Sequence, residues 1–146
     1  MGRVTNPALL TTSVTRGVCR WLVDLGYTTL TEFKLANRRR ADIVGLNAAG
    51  TIIMVEVKST AADYRSDTKW LEYIPYCDIF SFAVPKSFPT KIIPEDQGVL
   101  VADAHYAAIL RQARARRLHA ARRRALTLRF CLEVGQRLSK LTDPRF

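Results

Sequence analysis

The sequence predicts an α/β fold with a mixed central sheet, and three observations support this prediction. Apolar residues make up 48% and charged residues 25% of the 146 positions, the ordinary balance of a globular domain. Helix-like and strand-like patterns follow one another in the order αβββαβ, and one more strand and basic helices come after them. A short turn-like segment joins two of the strands, which is typical of a hairpin. Together these features indicate helices packed on a mixed sheet.

The first half of the chain predicts one helix and three strands. Val14, Val18 and Leu22 recur at helical spacing in a segment over 11–25, and Gly26 follows as a stop signal. The segments that follow are rich in β-forming residues and predict strands over 28–35, 39–46 and 51–58. The turn between the last two strands predicts that they pair as an antiparallel hairpin.

The second half of the chain predicts a helix over 66–74 that ends before Pro75. Apolar runs predict two more strands, over 78–84 and 98–102. Two basic helices, with a break near 122–124, are expected over 104–121 and 125–140. These elements divide the chain into a core domain over 1–103 and a basic helical extension over 104–146 that packs on it.

Positive charge is concentrated at the end of the chain. The formal net charge is +10. Residues 1–103 carry 12 Lys and Arg against 11 Asp and Glu, a net charge of +1, whereas residues 104–146 carry 11 against 2, a net charge of +9. Such asymmetry indicates a polyanionic partner: DNA, RNA or an anionic membrane surface. Arginines occur on nearly every side of the expected helices, which disfavours an amphipathic membrane binder.

The sequence predicts a reduced, cytoplasmic setting. Its three cysteines, Cys19, Cys77 and Cys131, are odd in number, far apart and without a metal-binding or redox spacing. No segment approaches the roughly 20 apolar residues of a membrane span. The N-terminus carries no apolar stretch of the kind found in secretory signals. We therefore expect no membrane partner.

The predicted hairpin brings three charged side chains together. If its turn is centred near Ala49, Asp42 lies across from Glu56, and cross-strand partners share a face. Lys58 is two residues after Glu56, so it points to the same face. Two carboxylates this close repel each other, and a divalent cation removes the conflict. The group would otherwise be a surface cluster of ion pairs.

Mg²⁺ or Mn²⁺ is the expected cofactor, because hard cations take oxygen ligands and Mg²⁺ needs only one or two carboxylates. Asp42 and Glu56 would supply these, and the backbone carbonyl of Val57 would add a third oxygen. Lys58 is then placed to hold the attacking water and to stabilise charge on a phosphate. The expected chemistry is phosphodiester hydrolysis at Asp42, Glu56 and Lys58.

The spacing of Asp42 and Glu56-Val57-Lys58 resembles the PD-(D/E)xK nuclease superfamily. This resemblance implies a restriction-endonuclease-like core and metal-dependent cleavage of nucleic acid. A longer likeness, over about residues 8–110, is to the MmcB family of bacterial DNA repair proteins. It rests on four segments: RADIV at 40–44, VEVKS at 55–59, DYRSDTKW at 63–70 and YCD at 76–78. The superfamily's usual proline before the aspartate is Ala41 here.

The resemblance also implies roles for three further residues. Many superfamily members carry another acidic residue near the site, and Glu32 is the candidate for this third metal ligand, unless it is only a solvated strand residue. Exonuclease branches carry a Gln or Lys and a Tyr four residues apart after the catalytic strand. Lys69 and Tyr73 match that spacing and would share a helix face towards one phosphate. The alternative is a surface lysine and a core tyrosine.

The remaining candidates for DNA binding are arginines. Arg38, Arg39 and Arg40 enter the strand that bears Asp42 and would extend the surface around it. Residues 111–129 contain eight arginines, and the expected phosphate contacts among them are Arg111, Arg114, Arg116, Arg117, Arg122, Arg123 and Arg124. The alternative is a solvated basic tail that acts only as an electrostatic anchor.

Three functions are compatible with these features. The leading one is a Mg²⁺- or Mn²⁺-dependent DNA nuclease in repair, with no small-molecule cofactor beyond the metal. The second is a non-catalytic DNA-binding repair protein that keeps a nuclease fold. The third is an interaction protein whose arginines dock another repair factor. The repair context comes from the resemblance to the MmcB family.

Overall fold

The computed structural model describes residues 6–145. Its α-helices are α1 (Pro7–Asp24), α2 (Ala61–Ser66) and α3 (Ala120–Thr142). Its strands are β1 (Tyr27–Lys34), β2 (Arg40–Asn47), β3 (Ile52–Val57), β4 (Ile79–Val84), β5 (Gly98–Ala102) and β6 (Ala107–Arg111). Short 3₁₀ turns occupy Lys69–Glu72, Ile74–Tyr76 and Thr90–Ile92.

The six strands form one mixed sheet in the order β1-β2-β3-β4-β5-β6. The first three strands are antiparallel, β3, β4 and β5 are parallel to one another, and β6 returns antiparallel to β5. The predicted hairpin of β2 and β3 is confirmed. The α/β fold with a mixed sheet is also confirmed, and it is consistent with a restriction-endonuclease-like core.

Helices cover both faces of the sheet. On one face, Val14, Val18 and Leu22 of α1 are almost fully buried in a cluster with side chains of β2, β3 and β5. Close packing there requires glycine at position 17, because a side chain would collide with the backbone carbonyl of Asp103. On the opposite face, Leu126 and Phe130 of α3 are buried in the second cluster.

The helix expected over 104–121 is wrong. Residues Ala107–Arg111 form β6, and residues 112–119 follow without regular secondary structure. Alanine-rich segments favour helix locally, but the free edge of β5 offers a backbone ladder, and the tertiary pairing prevails. β6 exposes Ile109 and Leu110, as expected for an edge strand. The C-terminal region therefore contains one helix rather than two.

Two other helix boundaries also differ from expectation. α3 begins at Ala120, with His119 as its N-cap residue. It continues through 122–124 without the expected break. The helix expected over 66–74 is replaced by the earlier helix α2 and two 3₁₀ turns. The hydroxyl of Thr60 accepts the Asp63 N–H and starts α2 before the expected position. The division of the chain at residue 103 falls between two paired strands and stays a prediction.

Candidate active site

Asp42 and Glu56 meet where the hairpin of β2 and β3 opens. The ladder ends at the pair Ile43–Val55, and one step further would place Asp42 opposite Glu56. At that point side chains take over from the backbone. The Asp42 N–H donates to Glu56 Oε1 at 3.0 Å, and the Val57 N–H donates to Asp42 Oδ2 at 2.8 Å. The two carboxylates are thus fixed by reciprocal bonds to the opposite strand, as the predicted register requires.

This carboxylate pair is poorly compensated. Glu56 is only 4% exposed, and Asp42 is half-buried. Burial, followed by repulsion from Asp42, raises the pKa of Glu56 to about 8. Burial also raises the pKa of Asp42, although the Val57 N–H and the Lys58 ammonium oppose the change. The two groups therefore hold less than two negative charges at neutral pH.

Lys58 is buried beside this pair and is held by a residue that the sequence reasoning did not single out. Its ammonium donates to Asp67 Oδ2 at 2.6 Å, and only 4% of the residue is exposed. Asp67 also accepts the Lys69 N–H at 2.8 Å. Burial would raise the pKa of Asp67, but the Lys58 hydrogen bond and the Lys69 N–H lower it overall. Asp67 is therefore an anion that fixes the Lys58 ammonium.

Asp67 was missed because its position depends on the irregular chain after α2. Nothing in the nine-residue spacing from Lys58 to Asp67 indicates an ion pair, because the predicted helix over 66–74 began only just before Asp67. Asp63 was missed because it lies in α2, which begins before the predicted helix. It accepts the Ser59 N–H at 3.2 Å and adds negative charge near Asp42. The available signal was the DYRSDTKW segment of the family resemblance, which contains both aspartates.

The arrangement can hold a hard cation with few protein ligands. Among residues 6–145, no group of three or more His, Cys, Asp or Glu side chains is placed to hold a metal ion. The candidate ligands are thus Asp42 and Glu56. Each of these carboxylates has one oxygen that accepts a backbone N–H. Val57 donates its N–H to Asp42, and the role of its carbonyl as a third metal ligand stays a prediction.

Glu32 is level with Asp42 on the neighbouring strand β1, at a break in the strand pairing. Its side chain is exposed, its backbone is left-handed with φ of 50°, and it interrupts the pairing of β1 with β2 opposite Asp42. Its carbonyl accepts the Arg137 guanidinium at 3.2 Å, and it lines a surface cavity with Glu133 and Arg137. None of the hydrogen bonds within the described chain joins Glu32 to Glu56. Its role as a ligand stays a prediction.

Tyr73 and Lys69 flank the site, but not on a shared helix face. Tyr73 is buried, and its hydroxyl donates to the Arg40 carbonyl at 2.9 Å. Burial and the negative charge of Glu56, Asp42 and Asp67 raise the Tyr73 pKa. Lys69 is exposed at the start of a 3₁₀ turn. The expected i,i+4 helix geometry is therefore absent, since the segment is not α-helical.

The arginines before β2 are near the site and differ in their freedom. Arg38 and Arg40 are exposed, and Arg38 has a left-handed backbone with φ of 68°. Arg39 is half-buried and forms an ion pair with Glu72 at 2.7 Å. Arg38 and Arg40 are therefore the freer of these three for contact with a phosphate.

Two arginines of the C-terminal region contact backbone carbonyls of other parts of the fold. Arg111 donates to the carbonyls of Gln97 and Ile93, at 2.8 and 3.3 Å. Arg122 donates to the Pro75 carbonyl, and its guanidinium lies 4.4 Å from the Tyr76 ring centroid. These contacts give them structural roles.

Arg123 joins a carboxylate cluster that the sequence reasoning did not identify. Asp78 accepts both guanidinium nitrogens of Arg123, at 2.5 and 2.6 Å, and the N–H groups of Ile52 and Leu118. Burial opposes ionisation of Asp78, but Arg123 and these N–H groups lower its pKa to about 2. The remaining predicted arginines are exposed: Arg114, Arg116, Arg117 and Arg124.

No helix among the described residues has the length and apolar content to cross a membrane. Among curated proteins, none matches the sequence. A solved structure, the SPO1766 protein of unknown function from Silicibacter pomeroyi, is similar. It has a TM-score of 0.88 and 38% identity, and the match covers 92% of each chain. A family model described as DNA repair protein MmcB-like matches residues 2–145. With nearly its whole length matched, the chain belongs to the MmcB-like family of DNA repair proteins.

Proposed function

We propose that the protein is a Mg²⁺- or Mn²⁺-dependent DNA nuclease that acts in repair, of the PD-(D/E)xK type. One observation carries this proposal. Asp42 and Glu56 are held side by side at the open end of a hairpin, with the Glu56 pKa raised to about 8 and a buried lysine next to them. Strongly shifted ionisable groups gathered at one place are typical of functional sites.

The chemistry of these residues fits a hard divalent cation. A cation would stabilise both carboxylates in their ionised form, which burial and mutual repulsion oppose in its absence. Asp42 and Glu56 would hold the ion, with water or phosphate oxygens as the other ligands, as Mg²⁺ prefers. When bound, the ion would supply Lewis acidity at a phosphoryl oxygen.

Lys58 would act on the phosphate. Its ammonium is fixed by Asp67 and shielded from water, so its charge is already oriented before a substrate arrives. Such a group stabilises the charge that develops on the phosphate during hydrolysis and orients the attacking water. Arg38, Arg40 and Lys69 are exposed around the site and would contact the backbone of the DNA.

The direct test is a cleavage panel with the full chain. Linear, nicked, flapped and four-way labelled DNA would be incubated with Mg²⁺, with Mn²⁺ and with a chelator. We expect metal-dependent products from at least one substrate and none with the chelator. Absence of products from every substrate, with protein shown to bind DNA, would contradict the nuclease proposal.

A non-catalytic DNA-binding function is the second candidate, and a specific observation favours it. The Lys58 ammonium is neutralised by Asp67 at 2.6 Å rather than free for a phosphate. Under this alternative the cluster would only stabilise the fold. The same panel separates the two, since a binding protein retards DNA without shortening it.

A further inference from the structure

The segment over 112–119 is irregular in secondary structure but anchored at defined points. The Arg116 N–H donates to the Asp78 carbonyl at 2.7 Å, and the Leu118 N–H donates to the Asp78 carboxylate at 3.0 Å. The Leu118 side chain is 5% exposed and belongs to the core. The segment is therefore a fixed part of the surface rather than a loose tail.

This anchored segment and the start of α3 carry four exposed arginines. We call the group Arg114, Arg116, Arg117 and Arg124 the distal basic surface. None of the ion pairs formed among residues 6–145 uses any of them. The nearest acidic groups are few: Asp78 is committed to Arg123, and Asp96 lines a small cavity with Arg114 and Arg116. Their guanidinium groups therefore form no ion pair within residues 6–145, although Asp96 shares the cavity of Arg114 and Arg116.

The distal basic surface lies at the opposite end of the sheet from the carboxylate pair. Asp78 is level with Ile52 at the start of β3, because the two exchange hydrogen bonds. Glu56 is four residues further along the same strand, about 13 Å away at roughly 3.3 Å per residue. The arginines therefore cannot reach a phosphate that is held at Asp42 and Glu56.

We propose that the distal basic surface is a separate nucleic-acid contact, which grips the phosphate backbone without reading bases. The partner follows from charge complementarity: several guanidinium groups on a fixed backbone meet a regularly spaced polyanion at little cost in chain entropy. The inference goes beyond the proposed nuclease function and does not depend on cleavage. It assigns these residues to holding DNA at a place remote from the chemistry.

The test measures DNA binding by the full chain in a chelator, so that no cleavage occurs. Arg114→Gln/Arg117→Gln is compared with Arg16→Gln/Arg20→Gln, which removes two exposed arginines from α1 on the other face. Each phosphate contact contributes about −0.9 to the slope of log affinity against log salt on duplex DNA. The first variant should bind more weakly than the parent, and its slope should be shallower by about 1.8, so that raising the salt from about 50 to about 200 mM costs it roughly tenfold less affinity than it costs the parent. The control should match the parent, and two unrelated DNA sequences should give the same loss.

Two results overturn the inference. One is a variant with the parent's affinity and salt slope, which would assign the surface to an acidic protein partner instead. The other is an equal loss in the α1 control, which would reduce the effect to net charge. If the variant fails to fold, protection from phenylglyoxal in the parent decides: DNA should shield Arg114 and Arg117, and unshielded arginines contradict the proposal. Loss of binding in a protein that never cleaves DNA would leave this inference standing and remove only the nuclease function.

Discussion

Carboxylates lie at both ends of β3, and their surroundings have opposite effects on their pKa values. At the start of the strand, Asp78 accepts two backbone N–H groups and both nitrogens of Arg123, and its pKa falls to about 2. At the end of the strand, Glu56 faces Asp42, and its pKa rises to about 8. The fold therefore supplies Asp78 with a positive partner and hydrogen-bond donors, whereas the pair of Asp42 and Glu56 has too little positive charge nearby.

The difference separates structural from functional use of the same chemical group. A satisfied carboxylate stabilises the fold at neutral pH and has nothing to offer a ligand. A carboxylate pair held together against repulsion costs stability, and that cost is recovered when a cation binds. The start of β3 therefore anchors the C-terminal region, and the end of β3 carries the pair that we propose as the metal-binding site.

The largest expected effect is on cleavage. Asp42→Ala and Glu56→Ala should each reduce metal-dependent cleavage to background, because each removes one of the two carboxylates that would hold the ion. The measurement is the initial rate on the best substrate of the panel. Asp63→Ala is the control, since this nearby aspartate accepts the Ser59 N–H and adds negative charge near Asp42 but is not one of the two carboxylates proposed to hold the ion. Normal rates in either first variant would show that the pair is not the active site.

Lys58→Met should slow cleavage roughly a hundredfold while leaving divalent-ion binding in place, because the charge is lost and both carboxylates remain. Methionine keeps most of the side-chain volume in this buried position. Rates at saturating metal are compared with those of Lys86→Met, a change at an exposed lysine. A collapse of metal affinity with an unchanged rate would make Lys58 a structural residue.

Asp78→Asn should lower the free energy of unfolding by about 2 kcal/mol, since Arg123 loses its charged partner and two N–H groups lose a carboxylate. The folded-state pKa of Asp78 is below its unfolded value. Its contribution is therefore present above about pH 4 and declines as the pH falls towards 2. Denaturant unfolding at pH 7 and pH 3 measures both, and equal losses at the two pH values would argue against this role.

Glu56→Gln should change stability in the opposite direction. The folded-state pKa of Glu56 is raised, so the metal-free parent should lose stability as the pH rises from about 4.5 to about 8. Glutamine keeps the oxygen that accepts the Asp42 N–H and carries no charge. At pH 8 and without metal, the variant should be more stable than the parent by on the order of 2 kcal/mol. A less stable variant at pH 8 would mean that the charge of Glu56 is well compensated.

The sequence was informative where function depends on strand register. The short turn between β2 and β3 sets which residues face each other, so Asp42, Glu56 and Lys58 could be grouped from spacing alone. The hairpin and the mixed sheet followed from the same patterns. Local propensity wrongly predicted a helix over 104–121. This alanine-rich segment instead pairs with the free edge of β5, and only the tertiary fold shows that this edge is free.

The partners of the charged groups were beyond the sequence. Asp67 reaches Lys58 through an irregular turn, and Asp78 reaches Arg123 across 45 residues of chain. Neither distance is set by a helical or strand period. Nothing in the sequence distinguished one arginine of this run from another. In the structure, Arg111, Arg122 and Arg123 donate side-chain hydrogen bonds to other parts of the fold. Arg114 and Arg117 form none of the side-chain hydrogen bonds found within residues 6–145. The charge pattern of a sequence predicts the sign of the charge and the region that carries it, whereas the individual ion pairs can be identified only in the folded chain.

A Mn²⁺ titration by calorimetry tests the central claim most directly. The parent, Glu56→Gln and Asp78→Asn would be titrated at pH 7 and pH 8 without DNA. We predict one bound ion in the parent and in Asp78→Asn, with tighter binding at pH 8 because Glu56 must lose its proton. Glu56→Gln should show no binding. Equal binding in the parent and Glu56→Gln, or none in the parent, would contradict the assignment of a metal site to the end of β3.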